Sequence, residues 1–274
     1  MYRLGRSKAP SQHSVHVSMS PPTQGGPGTA GFQAPLKQNS LPPPPPLEAA
    51  APEMSVPPAD RTLAMAIGEK QVEISQLPGG SPGTAALLLE LGELQREAKQ
   101  IDEARVCFEQ ALTASREAHE QPSTLIALNS LGLLLREAGR LDQARPLLEE
   151  AVETRRAGQG DRHPETLTSI NNLASLLKAC GALDAAAPLF AEALEVRRQV
   201  LGHGHLDTLT SINNLASLLR ARDQQNDLQA AERLLAEGVG TSRRMLGEGH
   251  TTTRYFAANY KSVGVTNRNR RGEL

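Results

Sequence analysis

The chain is poor in cysteine: Cys107 and Cys180 are the only two among 274 residues. Both fall inside helical patterns and neither has metal-type spacing to a second ligand, so a reducing compartment is expected and a cysteine-based metal knuckle is excluded. No run of about 18 apolar residues is present, so no spanning helix is expected, and no secretory signal is expected either. The expected location is the cytoplasm. Organelle import is the alternative, because residues 1–47 hold Arg3, Arg6 and Lys8 but no acid, although an amphipathic Arg pattern is missing. Charge of one sign is lacking too. The net charge is −1; residues 1–58 carry four Lys/Arg against two Asp/Glu, residues 59–260 carry 21 against 27, and residues 261–274 carry four against one. A mildly acidic middle argues against nucleic-acid binding, where a basic face supplies the affinity.

What is abundant is proline, and it is concentrated at one end. Thirteen of nineteen prolines precede Ala59, together with Gly25-Gly26-Pro27-Gly28. Such a segment buries too little apolar surface to offset its ordering entropy, so residues 1–58 are expected to be a disordered arm. Within it Leu41-Pro42-Pro43-Pro44-Pro45-Pro46-Leu47 is a preformed polyproline II stretch, either a spacer or a ligand for a polyproline-binding domain.

The strongest signal is an internal repeat. His163-Pro164-Glu165-Thr166-Leu167-Thr168-Ser169-Ile170-Asn171-Asn172-Leu173-Ala174 returns 42 residues later as His205-Leu206-Asp207-Thr208-Leu209-Thr210-Ser211-Ile212-Asn213-Asn214-Leu215-Ala216. Upstream, Pro122, Leu125, Asn129 and Gly132 stand 42 before the first copy, and Pro82, Leu91 and Gly92 a further 40 before that. A period of this size means stacked supersecondary units.

Each unit divides into two helices. Ile170, Leu173, Ala174 and Leu177 recur at i, i+3, i+4 and i+7, and Gly181, like Gly139, ends that helix in the left-handed region. Asp184 is expected to cap the second helix, whose stripe is Ala186, Leu189, Phe190, Ala193 and Leu194. Gly132, Ala174 and Ala216 on the first helices, with Ala144, Ala186 and Ala231 on the second, allow close helix approach. One hairpin cannot bury its own apolar face, so hairpins must stack. Asp60 to Leu77 is expected to cover the first hairpin, and Tyr255, Phe256 and Tyr260 to cap the last. The predicted organisation is therefore an arm (1–58), a capping helix and turn (59–80), an all-α right-handed solenoid of four hairpins and a partial helix (81–262), and a disordered basic tail (263–274).

The pattern His-Pro-x-Thr-Leu-x-Ser-x-Asn-Asn-Leu-Ala, a Gly, Leu-Asp-x-Ala, Pro-Leu and a closing Leu-Gly-x-x-His resembles the tetratricopeptide repeats of kinesin light chains and nephrocystin-like proteins. The resemblance covers about residues 80–260. It implies a protein-binding adaptor, with a cargo-binding subunit of a motor as an alternative. The coiled coil expected of a light chain has no counterpart, since the arm has no heptads.

No coherent catalytic constellation stands out, and no cofactor is expected. His203, His205 and Asp207 can be drawn as a metal cluster, but a His before each helix start is positional at this spacing. The Gly-x-Gly turns lack the strand and the Gly-Lys-Ser/Thr of a phosphate loop. An enzyme with an unrecognised site is the rival from another class.

The informative stripe lies one step of 100° from the core face of the first helices. It carries Asn129, Asn171 and Asn213, then a cation row of Arg96, Arg136, Lys178 and Arg220. First helices line the concave surface of a hairpin stack. An Asn amide both donates and accepts, so it suits the backbone of an extended peptide, and the cations suit acidic side chains. In the resembled family groove asparagines hold peptides; that role is carried to Asn129, Asn171 and Asn213. The competing reading is that these amides bond between helices and the cations form a solvated face.

Overall fold

The structure, a computed structural model, describes residues 58–78, 81, 83–224 and 226–271. The expected arm and its Leu41–Leu47 stretch lie outside the described residues, except Pro58, which opens the first helix.

Ten α-helices and no strand occur among the described residues: α1 (Pro58–Ser75), α2 (Thr84–Glu97), α3 (Ile101–Glu117), α4 (Gln121–Glu137), α5 (Leu141–Gln159), α6 (Pro164–Ala179), α7 (Leu183–Leu201), α8 (Leu206–Arg222), α9 (Asp227–Leu246) and α10 (Thr251–Arg271). Each packs on its chain neighbours, and short connections make antiparallel hairpins of α2–α3, α4–α5, α6–α7 and α8–α9. In addition α2 touches α4, α4 touches α6, and α6 touches α8, whereas α3, α5, α7 and α9 make no contact of that extent with one another. The first helices therefore gather on the inner side of the stack and the second helices fan out on the outer side.

Packing follows the small residues. Ala144, Ala174, Ala186 and Ala231 have no exposed surface, and Leu148, Phe190 and Ile212 fill the space around them. Gly132 faces Leu148 so closely that a Cβ there would stand 2.7 Å from its side chain. In the turns, Gly139 and Gly181 take φ of 74° and 77°, as the sequence predicts. Pro164 opens α6 at its first position, where its missing N–H costs nothing.

At the N-terminal end Ile67 of α1 is buried against Leu91 and Cys107, with Leu63 and Ile74 alongside. At the other end two sequence expectations change, and a third changes within the stack. Of Tyr255, Phe256 and Tyr260, Phe256 alone is buried; Tyr255 is 55% exposed. The segment assigned to a basic tail from residue 263 is helical as far as Arg271, because Val263 enters the core and Asn267 donates to Glu232 at 2.6 Å. Asp184 does not cap α7. It lies one residue inside the first turn and faces Arg222 at 3.7 Å and Gln224 at 3.3 Å across the longer loop.

That loop, three residues longer than its counterparts, is closed by charge. Asp227 accepts from Arg222 Nε and Nη2 at 2.8 and 2.7 Å and from the Gln224 backbone N–H at 3.0 Å. The Arg222 guanidinium holds the buried Asp227 carboxyl below the usual carboxylate range.

Candidate functional site

The stripe expected on the inner face is there, but its amides are turned toward neighbouring hairpins. Asn129 Nδ2 donates to Leu125 O at 2.9 Å and to Ser169 Oγ of α6 at 3.1 Å. Asn171 repeats the arrangement one unit on, donating to Leu167 O and to Ser211 Oγ of α8, both at 3.2 Å. Asn172 Nδ2 donates to Asn129 Oδ1 at 3.3 Å, and Asn259 Nδ2 to Asn213 Oδ1 at 3.1 Å. The amides form rungs that fix the register of successive first helices.

For Asn171 this corrects the expectation of a free groove amide. It is 5% exposed, its donors are used between helices, and its Oδ1 is buried without a hydrogen-bond partner. Asn129 and Asn213 are half-buried and keep part of their surface on the inner face.

The cation row is uneven. Arg96 is held by Glu93 at 2.7 Å and approaches Glu137 at 3.4 Å. Arg136 is half-buried and Arg220 exposed, and neither has an acidic partner among the described residues. Lys178 donates to Ser217 Oγ at 2.5 Å. Burial pushes the Lys178 pKa down, and the like charge of Arg220 adds to that; Tyr255 opposes it. Asn213, Ser217, Arg220, Tyr255 and Asn259 line one small cavity. Asn213 and Tyr255 also border an open cleft of about 520 Å³ between α8 and α10, with Leu206 and Thr251 at its edge. Two cations without carboxylates thus stand beside amides, a hydroxyl and an aromatic ring, an arrangement that suits an acidic, partly apolar ligand.

Sequence reasoning missed a second ladder, on the outer helices. Arg116 reaches Glu150 at 2.5 Å, and Arg156 reaches Glu192 and Arg198 reaches Glu237, both at 2.6 Å. The signal was present, since Glu150, Glu192 and Glu237 recur at spacings of 42 and 45. One position back, Arg155 and Arg197 are buried. Arg197 donates to Ser211 Oγ and Thr168 Oγ1 at 2.9 Å and to Asp207 O at 3.1 Å, and Arg155 pairs with Glu165. These tie α5 to α6 and α7 to α8, each a second helix to the first helix of the next hairpin.

The turn histidines have a structural task. Nδ1 of His163, His205 and His250 accepts the backbone N–H of Glu165, Asp207 and Thr252 at 3.2 Å, capping α6, α8 and α10. Among the described residues no group of three His, Cys, Asp or Glu side chains could hold a metal ion. Burial raises the Cys107 thiol pKa, which disfavours the thiolate a nucleophile needs. No helix among the described residues is long and apolar enough to cross a membrane.

One tetratricopeptide-repeat family model matches residues 83–157 and 123–186, and a second such model matches 166–207 and 208–252. No curated protein matches the chain. Among solved structures, BtubC (BKLC) from P. vanneervenii is 19% identical with a TM-score of 0.62, covering 78% of this chain and 83% of its own. A candidate kinesin light chain from Podosopora anserina, with nearly identical repeats of this type, is 23% identical with a TM-score of 0.59. That match covers 69% of this chain and 90% of the other. These likenesses extend to the fold.

Proposed function

The chain belongs to the tetratricopeptide-repeat family, whose members serve generally in protein–protein interaction, and from that premise we propose that it is a non-catalytic adaptor holding a peptide segment of a partner protein along its inner face. The peptide lies across α4, α6, α8 and α10. Its acidic side chains meet Lys178, Arg220 and Arg136, its backbone meets the exposed parts of Asn129 and Asn213, and an apolar residue enters the cleft beside Tyr255.

The observation that carries this reading is the pair Lys178 and Arg220, gathered around Ser217, which Lys178 bonds and which lines a small cavity with Arg220, with no carboxylate paired to either among the described residues. Holding like charges together costs free energy, and a bound carboxylate would recover part of it. Asn171 is assigned to the register of the stack and not to the ligand. Arg96, already held by Glu93, contributes less than the other three cations.

Selection of a random twelve-residue peptide-display library on the full chain tests the proposal. Peptides enriched in Asp and Glu on the wild type, and lost on a Lys178→Glu/Arg220→Glu variant with native circular dichroism, are the expected result. Enrichment unchanged by that variant would put the binding surface elsewhere.

A further inference from the structure

The inner face changes character toward its other end. Between α2 and α4 an open cavity of about 970 Å³ has a floor of Leu89, Leu94, Ile101 and Ile126. Ile126 is 48% exposed there, while its equivalents in the next two units are Thr168 and Thr210, so this exposed aliphatic position is not repeated in those units. The rim carries Glu90, Glu93, Glu97 and Glu137 against Arg96 and Lys99. Arg96 is engaged by Glu93 and Glu137, and Lys70 of α1 meets Glu90 at 2.7 Å. Glu97 has no cationic partner among the described residues.

An aliphatic floor under an acidic rim suits the stem and head of a Lys or Arg side chain: the methylenes cover the floor and the charged end reaches the carboxylates. We infer that the α2–α4 cavity receives a basic residue flanked by an aliphatic one, from the same partner segment whose acidic residues face Lys178 and Arg220. The partner is therefore a charge-segregated peptide, basic and aliphatic at one end and acidic at the other. The inference rests on the function proposed above. It also fixes a spacing. Adjacent first helices stand roughly 8–10 Å apart, so the two ends are about 20 Å apart and need about six residues of extended peptide between them.

The same twelve-residue library, selected on the full chain, separates the two claims. On the wild type, enriched peptides should carry Lys or Arg beside Leu, Ile or Met, followed at about six residues by Asp or Glu. On Glu97→Lys/Glu137→Lys the basic preference should vanish while the acidic one persists. On Ile126→Ser, a change at an exposed position, the aliphatic preference should fall with both charge preferences retained. The best wild-type peptide, titrated by anisotropy, should bind Glu97→Lys/Glu137→Lys roughly 5-fold to 30-fold more weakly, as expected for two reversed surface charges. Acidic peptides without any basic or aliphatic preference, or affinity unchanged in both cavity variants, would overturn the inference and leave the adaptor reading standing. Selection insensitive to Lys178→Glu/Arg220→Glu as well would overturn both.

Discussion

On the outer helices Arg116, Arg156 and Arg198 each meet a glutamate of the next hairpin, Glu150, Glu192 and Glu237. On the inner helices Arg136 and Arg220 meet no acid among the described residues, and Lys178 meets a serine. Both rows climb the same stack at nearly the same period, so the repeat alone does not explain the difference. Where cations serve register, the next hairpin supplies their counter-ion. Where they stand unneutralised, no counter-ion of the fold accounts for them, and the acidic ligand proposed above would supply one.

The largest effect expected from testing this comparison comes from a residue outside both rows. Asp227→Asn should destabilise the chain by about 1.5 to 3 kcal/mol at neutral pH, through loss of hydrogen bonds to charged Arg222. Because the folded-state pKa of Asp227 lies below its ordinary value of 3.8, this stability is present above that value. It is lost as pH falls through the folded pKa, so the gap between variant and wild type in urea unfolding should close in acid. A gap unchanged from pH 7 to pH 2 would show that the charge of Asp227 is not what holds the loop.

Next in size, Gly132→Leu should cost about 1 to 3 kcal/mol by driving a side chain into Leu148. This change would shift α4 against α5 and so disturb both rows together. An unaltered melting temperature would mean that the helices are not in close contact there.

The smallest effects separate the rows most directly. Arg156→Met removes a paired cation and should cost about 0.2 to 1 kcal/mol. Lys178→Met removes an unpaired one and should leave stability unchanged or raise it by a few tenths, about 0.3 kcal/mol, since burial and Arg220 both oppose its charge. The depressed folded pKa of Lys178 also means that the unfolded chain holds that proton more tightly. Wild type should therefore gain on Lys178→Met as pH rises from the folded pKa toward the ordinary value of 10.5. Equal costs for the two substitutions in thermal unfolding would erase the distinction.

The repeat made most of the fold legible. Its period, the small residues at Gly132, Ala174 and Ala186, and the turn glycines Gly139 and Gly181 all follow from apolar spacing and backbone sterics, which are local. The direction of the amides was not legible. Asn171 lies one helical step from the core face, and whether that step ends in the groove or against α8 depends on the rotation between hairpins. That rotation is set jointly by Arg197, Ser211 and the packing of α7 on α8. Helix α10 runs beyond the predicted end at residue 262; its contacts, Phe256, Val263 and Asn267, are too few and too widely spaced to stand out in the sequence as a stripe. The outer ion-pair ladder is written in the sequence as Arg and Glu recurring at nearly the repeat spacing, a signal that apolar periodicity does not contain.

The central claim is that the inner cations, and not the outer ones, hold a ligand. The most direct measurement is an anisotropy titration of a fluorescein-labelled acidic peptide from the library against wild type, Lys178→Glu/Arg220→Glu and Arg156→Glu/Arg198→Glu, at low and high salt. The inner reversal should weaken binding roughly 5-fold to 30-fold at low salt, and less as ionic strength rises. The outer reversal should leave affinity within about 2-fold, as expected of charges more than a Debye length from the ligand. Equal losses from both reversals, or none from the inner one on folded protein, would contradict the account.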